Sequence, residues 1–162
     1  MADAFSAPIL ELEDAVAWRE RERAAGKCVV FTNGVFDVLH AGHVAYLAWA
    51  RAQGDALIVG LNADDSVRNL KGPERPLVTF ADRAALVAAL RSVDAVVGFA
   101  ERTPETILDR LRPDVHVKSA QYRLEDLPER AVIEGYGGAI RLAPHVAGKS
   151  TTDLIAEIRR RY

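Results

Sequence analysis

Two histidines stand three positions apart at the end of the run Thr32-Asn33-Gly34-Val35-Phe36-Asp37-Val38-Leu39-His40-Ala41-Gly42-His43. An apolar stretch, Cys28-Val29-Val30-Phe31, leads into this run, and an apolar-periodic stretch from Val44 to Ala52 leads out of it. A strand end, a glycine-bearing turn and a helix start aim backbone N–H groups at one place, which suits an anion. Imidazoles at that entrance can donate to phosphate oxygens, assisted by the positive end of the helix dipole. Thr32, Asn33, Gly34 and Gly42 surround them with small or polar groups. A zinc pair on a helix would read His-Glu-x-x-His, and this run lacks both the glutamate and the spacing. Simple packing at a helix start is the bland alternative, and the polar, glycine-bearing surroundings favour phosphate over it. Asp37 could bind magnesium or orient a histidine, but a short aspartate before a helix is commonly a turn former, so it is read as structural. Phe36 is read as core.

Two further clusters offer cations or anion-binding backbone. In Lys71-Gly72-Pro73-Glu74-Arg75-Pro76, a loop rich in chain breakers, Lys71 and Arg75 can neutralise a triphosphate, the arginine in bidentate fashion. Gly148-Lys149-Ser150-Thr151-Thr152 imitates the end of a P-loop, but Ala143 stands where the first glycine should be, and the run follows the last expected strand rather than an early one. The remaining physics still makes an anion site at a helix start, with Ser150 and Thr151 supplying hydroxyls and a capping box alongside. Asn62-Ala63-Asp64 follows a strand where a ribose could be read, and Lys118 ends another. His116 lies within a strand and is read as structural, and His145 in a loop is assigned nothing.

The elements that must hold these residues follow from periodicity. Residues 11–25 read as an amphipathic helix with Leu12, Ala15 and Val16 on one side and Gly26 after its end. The charged run from Arg19 to Arg23 is read as its solvated face. Short apolar β-type runs at 28–31, 56–61, 95–99, 115–118 and 139–142 alternate with helical patterns at 43–53, 82–91, 104–111, 126–135 and 151–161, with a short helix near 64–70. Thr103-Pro104 reads as a capping threonine with proline at the first helical position. Nearly continuous apolar strands separated by helices predict a doubly wound, parallel, five-stranded sheet in a Rossmann-like α/β/α fold. Ligands should then gather at the strands' carboxyl ends, near the switch in strand order.

Composition narrows the class. The sequence has 162 residues, 49% hydrophobic and 27% charged, which is globular and suits one domain over 1–162, with an N-terminal helix in 1–26 and a core in 27–162. A formal charge of −2 and a pI near 6.1 give no electrostatic reason to expect a nucleic-acid partner. Cys28 is the only cysteine, which excludes a disulfide framework and a thiolate zinc cluster. Met1 to Glu13 has no basic residue and does not read as a secretory signal, and no apolar run approaches a membrane span. The expectation is a cytoplasmic protein without a membrane partner.

Together these stretches resemble the cytidylyltransferase-like nucleotidyltransferase superfamily, in which His-x-Gly-His is the signature. The likeness runs from Lys27 through Val59-Gly60-Leu61-Asn62-Ala63-Asp64-Asp65-Ser66-Val67-Arg68, the Lys71–Pro76 loop, Arg112-Pro113-Asp114-Val115-His116-Val117-Lys118 and Gly148–Thr152. The ordered set is similar to the branch of adenylyltransferases that activate heptose 1-phosphate to ADP-heptose. The resemblance implies transfer of AMP from ATP to a sugar 1-phosphate with release of pyrophosphate. It implies that His40 and His43 hold the reacting phosphates, Lys71 neutralises charge, and Ser150 and Thr151 grip the outer phosphates. It further implies that Phe31 and Thr32 meet the α-phosphate or sugar and Asp64 the ribose, with Mg2+ carried by the nucleotide rather than by a protein metal site. A homodimer, and a sugar kinase on a separate chain, belong to the same expectation. The heptose enzymes carry Lys-Gly-Gly-Asp-Tyr where this chain reads Lys118-Ser119-Ala120-Gln121-Tyr122, and Gln121, unlike a carboxylate, can donate as well as accept. The glycerol-phosphate cytidylyltransferases carry Arg-Thr-Glu-Gly-Ile before Ser-Thr-Thr, which His145-Val146-Ala147-Gly148-Lys149 does not match. The alternatives are a CTP-dependent transferase acting on a small polyol or amino-alcohol phosphate, and a nucleotide-binding module without turnover.

Overall fold

The computed structural model describes residues 6–144 and 150–162. Its centre is a parallel sheet in the order β1-β4-β3-β2-β5-β6, with β1 at Ile9–Leu10, β2 at Val29–Gly34, β3 at Ala56–Asn62, β4 at Ala95–Phe99, β5 at Val115–Ser119 and β6 at Ala139–Ala143. Every predicted strand is present. The sheet has six strands rather than five, because the two-residue β1 pairs Ile9 with Val96 and Leu10 with Val97 at the edge of β4. A strand of that length shows no periodicity, so it could not be read from the sequence.

All seven residues of β3 are buried, as the apolar run predicts for a strand covered on both faces. The pleat sends alternate residues to opposite sides. Val30, Leu57, Val59 and Leu61 pack with Leu47 and Ala50 of α2 (Ala41–Arg51) and with Ala84 and Val87 of α4 (Phe80–Ala88). Val29, Phe31, Ala56 and Ile58 pack with Ala15 and Trp18 of α1 (Leu12–Ala24), with Ile107, Leu108 and Leu111 of α5 (Glu105–Leu111), and with Ile133 of α6 (Arg130–Gly135). The remaining helices are α3 (Asp64–Lys71) and α7 (Thr151–Arg161).

Three local readings are corrected. Arg19 is not on a solvated face: it is 3% exposed and donates to the Arg112 carbonyl and the Asp114 carboxylate, so α1 packs through it onto the turn between α5 and β5. Thr103 does not cap α5 with its side chain; its hydroxyl donates to the Glu105 carboxylate. The helix expected over 126–135 is split into a short 3-10 turn, Leu124–Asp126, and α6. Gly26, with φ of +75°, follows the end of α1 as expected, in a conformation other residues avoid.

Strand order reverses between β2 and β5. The chain moves outward from β2 through β3 to β4 and then returns to the other side of β2. The crevice so created lies at the carboxyl ends of the strands, and Asn33, Asn62 and Lys118 all end there.

Candidate active site

A cleft of about 680 Å³ occupies that crevice. His40 opens it as the N-cap of α2, and its backbone is extended there, as a cap requires. Its Nδ1 accepts from the Gly42 N–H at 3.1 Å, while His43 Nδ1 faces the His40 N–H at 3.4 Å. The histidines therefore cap their own helix reciprocally through Nδ1, an arrangement that leaves the ring proton on Nε2 in the neutral form. The rings stack at 3.7 Å, and Phe36 packs edge-on against His43 at 5.2 Å. Burial, then the neighbouring His40, lower the His43 pKa to about 4, against a weaker pull upward from Asp37. His43 is accordingly a neutral hydrogen-bond donor at physiological pH.

Asp37 lies at the centre of the turn, between Phe36 and Val38, whose φ angles of 49° and 54° are left-handed. A β-branched residue there is strained, so the surroundings must hold the turn in place. They do so through the Asp37 carboxylate, which accepts from the N–H groups of Leu77 and Val78 and from Arg75 Nε at 2.7 Å. Burial alone would raise its pKa, and these three donors together outweigh burial and lower it. The Asp37 carbonyl in turn accepts from the Thr151 hydroxyl at 2.9 Å. One residue thus ties the loop after α3 and the start of α7 to the histidine turn, in line with the structural reading of Asp37.

The cleft wall includes the N-terminus of α7 through Ser150, Thr151 and Thr152, with the Ser150 hydroxyl accepting from the Asp153 N–H. Two eleven-residue helices, α2 and α7, therefore start on the same cleft. Gly148, Lys149 and His145 lie outside the described residues. Lys71, Arg75, Arg102 and Lys118 supply cations to the lining. Arg75 is paired with Asp37 and Lys118 with Glu129. Among the described residues neither Lys71 nor Arg102 forms an ion pair.

Of the residues singled out from the sequence, His40, His43, Lys71, Arg75, Asn33, Gly34, Gly42, Lys118, Ser150 and Thr151 all line the cleft. Phe31, Thr32 and Asp64 do not. The Phe31 ring stacks on His116 and fills the space over Gly60, where a side-chain carbon would come within 2.6 Å of it. Thr32 is fully buried and its hydroxyl bonds to the Val117 carbonyl and the Tyr46 hydroxyl. Asp64 accepts from Arg83 and from the Phe80 N–H. Arg83 is 1% exposed and also donates to the carbonyls of Val35, Val78 and Asn62, so it staples the ends of β2 and β3 to α4.

Sequence reasoning missed Arg102, Tyr46 and Glu129. Arg102 follows β4, and the placement argument that selected Lys71 after β3 would have found it. Glu129 carries no local signal, because its partners His116 and Lys118 lie on β5, more than ten residues earlier in the chain.

The parallel sheet brings two helix N-termini, paired imidazoles and several cations to the crevice at its switch point, an arrangement suited to a phosphorylated ligand. The chain belongs to the cytidylyltransferase-like family, whose model matches residues 31–156. It is 51% identical over 143 residues to the bifunctional protein HldE of Syntrophotalea carbinolica, covering 88% of this chain and 29% of that protein. To the bifunctional protein HldE of Pseudomonas aeruginosa it is 49% identical over 153 residues, 94% of this chain and 32% of that one. The chain thus spans under a third of the length of these relatives. Among solved structures, a lipopolysaccharide core biosynthesis protein from Thermoplasma volcanium matches with a TM-score of 0.63 and 26% identity, over 75% of this chain and 98% of that one. A pantoate-beta-alanine ligase from Francisella tularensis matches at a TM-score of 0.64 over 95% of this chain and 77% of that one; at 11% identity it supports the fold alone. Among the described residues no helix is long and apolar enough to cross a membrane.

Proposed function

We propose that this chain transfers AMP from ATP to a sugar 1-phosphate, heptose 1-phosphate in the first instance, and releases pyrophosphate. The observation that supports it most is the self-capping pair of histidines at the start of α2, facing the same cleft as the start of α7. The resemblance to the heptose 1-phosphate adenylyltransferases supplies the substrates.

In this reading the acceptor phosphate attacks the α-phosphorus in line, the new P–O bond forms as the bond to pyrophosphate breaks, and no enzyme nucleophile is needed. Catalysis is then positioning and charge stabilisation. His40 and His43 would donate to the reacting phosphate from Nε2, and His43 would do so as a neutral imidazole that needs no proton from solution. Lys71 would neutralise charge building on the pyrophosphate, and Ser150 and Thr151 with the α7 backbone would hold the outer phosphates. Arg75, already braced by Asp37, would act mainly by holding the loop that carries the cation wall. Among the described residues no cluster of three or more histidine, cysteine or carboxylate groups could hold a metal. As the family resemblance implies, Mg2+ would enter on the nucleotide's phosphates, where it adds positive charge to the transferring group. A sugar kinase would supply the acceptor.

A second reading, a different acceptor or base, is favoured by one observation: Ser119 and Gln121 line the cleft at the place where the heptose enzymes carry glycine and aspartate. Pyrophosphate release from ATP and from CTP, each with Mg2+ and with heptose 1-phosphate, other sugar 1-phosphates or glycerol 3-phosphate, separates the two. Release that requires ATP and heptose 1-phosphate is the expected result. Release only with CTP or another acceptor would keep the chemistry and move the substrate. Nucleotide binding with no release from any pair would turn the chain into a binding module.

A further inference from the structure

Under the cleft floor, on the sheet face covered by α1, α5 and α6, three ionisable side chains meet almost out of reach of water. His116 and Lys118 are two residues apart on β5 and so share a face. Glu129, the N-cap of α6, rises against them: its Oε1 lies 3.2 Å from His116 Nε2 and 3.1 Å from Lys118 Nζ. Glu129 is 1% exposed and His116 fully buried. The Lys118 ammonium also donates to Asn33 Oδ1 at 3.3 Å and stands 4.9 Å from the centre of the Tyr122 ring. Asn33, Lys118, Tyr122 and Glu129 all line the cleft.

Stability alone does not explain such a group. Apolar side chains of the same volume serve a core as well as or better than a buried ion pair. The contact of His116 Nε2 with the Glu129 carboxylate, an acceptor only, places the ring proton on Nε2. Burial pushes the Glu129 carboxyl up, but the hydrogen bond from His116 and the charge of Lys118 bring it down to about 2. The carboxylate therefore stays ionised, and it does so at the reversal of strand order, where the fold places its ligand. A lysine has three N–H donors on a flexible stem. Glu129 and Asn33 engage two of them and fix the direction of the third.

We propose that Glu129 is a positioning residue that fixes the Lys118 ammonium on the cleft floor, where Lys118 donates to a phosphate oxygen of the nucleotide or of the phosphorylated acceptor. This rests on the nucleotidyl-transfer reading above. His116 is the prop that keeps the Glu129 carboxylate turned toward Lys118.

The test compares the unmodified protein with Glu129→Gln, Lys118→Met and the double variant. Each is assayed for pyrophosphate release, for separate binding of ATP with Mg2+ and of heptose 1-phosphate by calorimetry, and for thermal unfolding. Glu129→Gln keeps the volume and an acceptor for His116 but removes the charge. It is expected to raise one substrate's KM and weaken that substrate's binding by about tenfold or more, the scale of a charge-assisted hydrogen bond. The weakened substrate identifies which phosphate Lys118 meets. In the Lys118→Met background the same change should add nothing. Equal penalties with and without Lys118 would overturn the proposal, as would unchanged binding of both substrates or a loss that follows unfolding alone. If the unmodified protein binds both ligands without releasing pyrophosphate, the transfer reading fails, and the binding arms still decide the role of Glu129.

Discussion

His43 shows how a single residue is tuned by where its helix begins. Its ring is half-buried against Phe36 and stacked on His40, and both conditions oppose a positive charge. Its imidazole resonances should therefore titrate in the ligand-free protein with a midpoint about 4, well below the ordinary 6.5; a midpoint near 6.5 by NMR would refute the burial argument. The sign for stability follows. Between 6.5 and about 4 the unfolded chain takes up a proton that the folded His43 refuses, so this residue's contribution to stability is lost as pH falls through that window. Much of the cleft was legible at this scale, because histidine, glycine, lysine and hydroxyl residues at strand ends and helix starts announce themselves by type and spacing. Phe31, Thr32 and Asp64, whose ligand roles the resemblance implies, are not among the residues that line the cleft. Proximity in sequence to the turn says nothing of the pleat, which turns the Phe31 ring onto Gly60 and leaves the Thr32 hydroxyl bonded to the neighbouring strand. Glu129 was invisible because its partners are brought to it only by the packing of α6 under β5.

At the scale of elements, the cleft walls are joined through the turn before α2. The Asp37 side chain holds the loop at Leu77 and Val78, and its carbonyl holds the start of α7. Asp37→Asn would keep the size but replace one acceptor oxygen by a donor facing N–H groups or Arg75, at a buried site. The expected loss is about 2 to 4 kcal/mol in denaturant unfolding, the range for breaking buried charged hydrogen bonds. The KM for ATP should rise with it, because both walls relax together; a variant as stable as the parent would show the loop to be held by other means. The order of strands and helices could be read from periodicity because the apolar runs are long and the breakers between them are strong. Arg19 escaped it: an arginine in a charged run looks solvated, and only the Arg112 carbonyl, displayed where that residue turns left-handed with φ of 46°, gives it a buried partner.

For the whole molecule, one sheet carries everything. The strand-order reversal between β2 and β5 sets the cleft, and two cores, one on each face, hold its floor. A ligand that bridges α2, α3 and α7 there binds only the folded form, so ATP with Mg2+ at a hundred times its dissociation constant should add about 2.7 kcal/mol of stability. That corresponds to a rise in Tm of about 5 to 10 °C for a protein of this size. A scan that shows no shift with ATP, CTP or pyrophosphate would remove the nucleotide from the cleft.

The short strand β1 has a different bearing. Residues matching the family begin at Phe31, yet the open side of β4 is covered by Ile9 and Leu10, with Val96 donating to the Pro8 carbonyl and Ala7 to that of Ala88. An uncovered strand is a template for pairing with other chains. The segment ahead of the family region therefore replaces the five-residue edge of β4 by the two-residue edge of β1. A protein trimmed to the matched residues would keep the histidines, Lys71 and the α7 hydroxyls, and would lose with β1 the core residues Ala15, Trp18, Val29 and Val30 that hold the sheet beneath them.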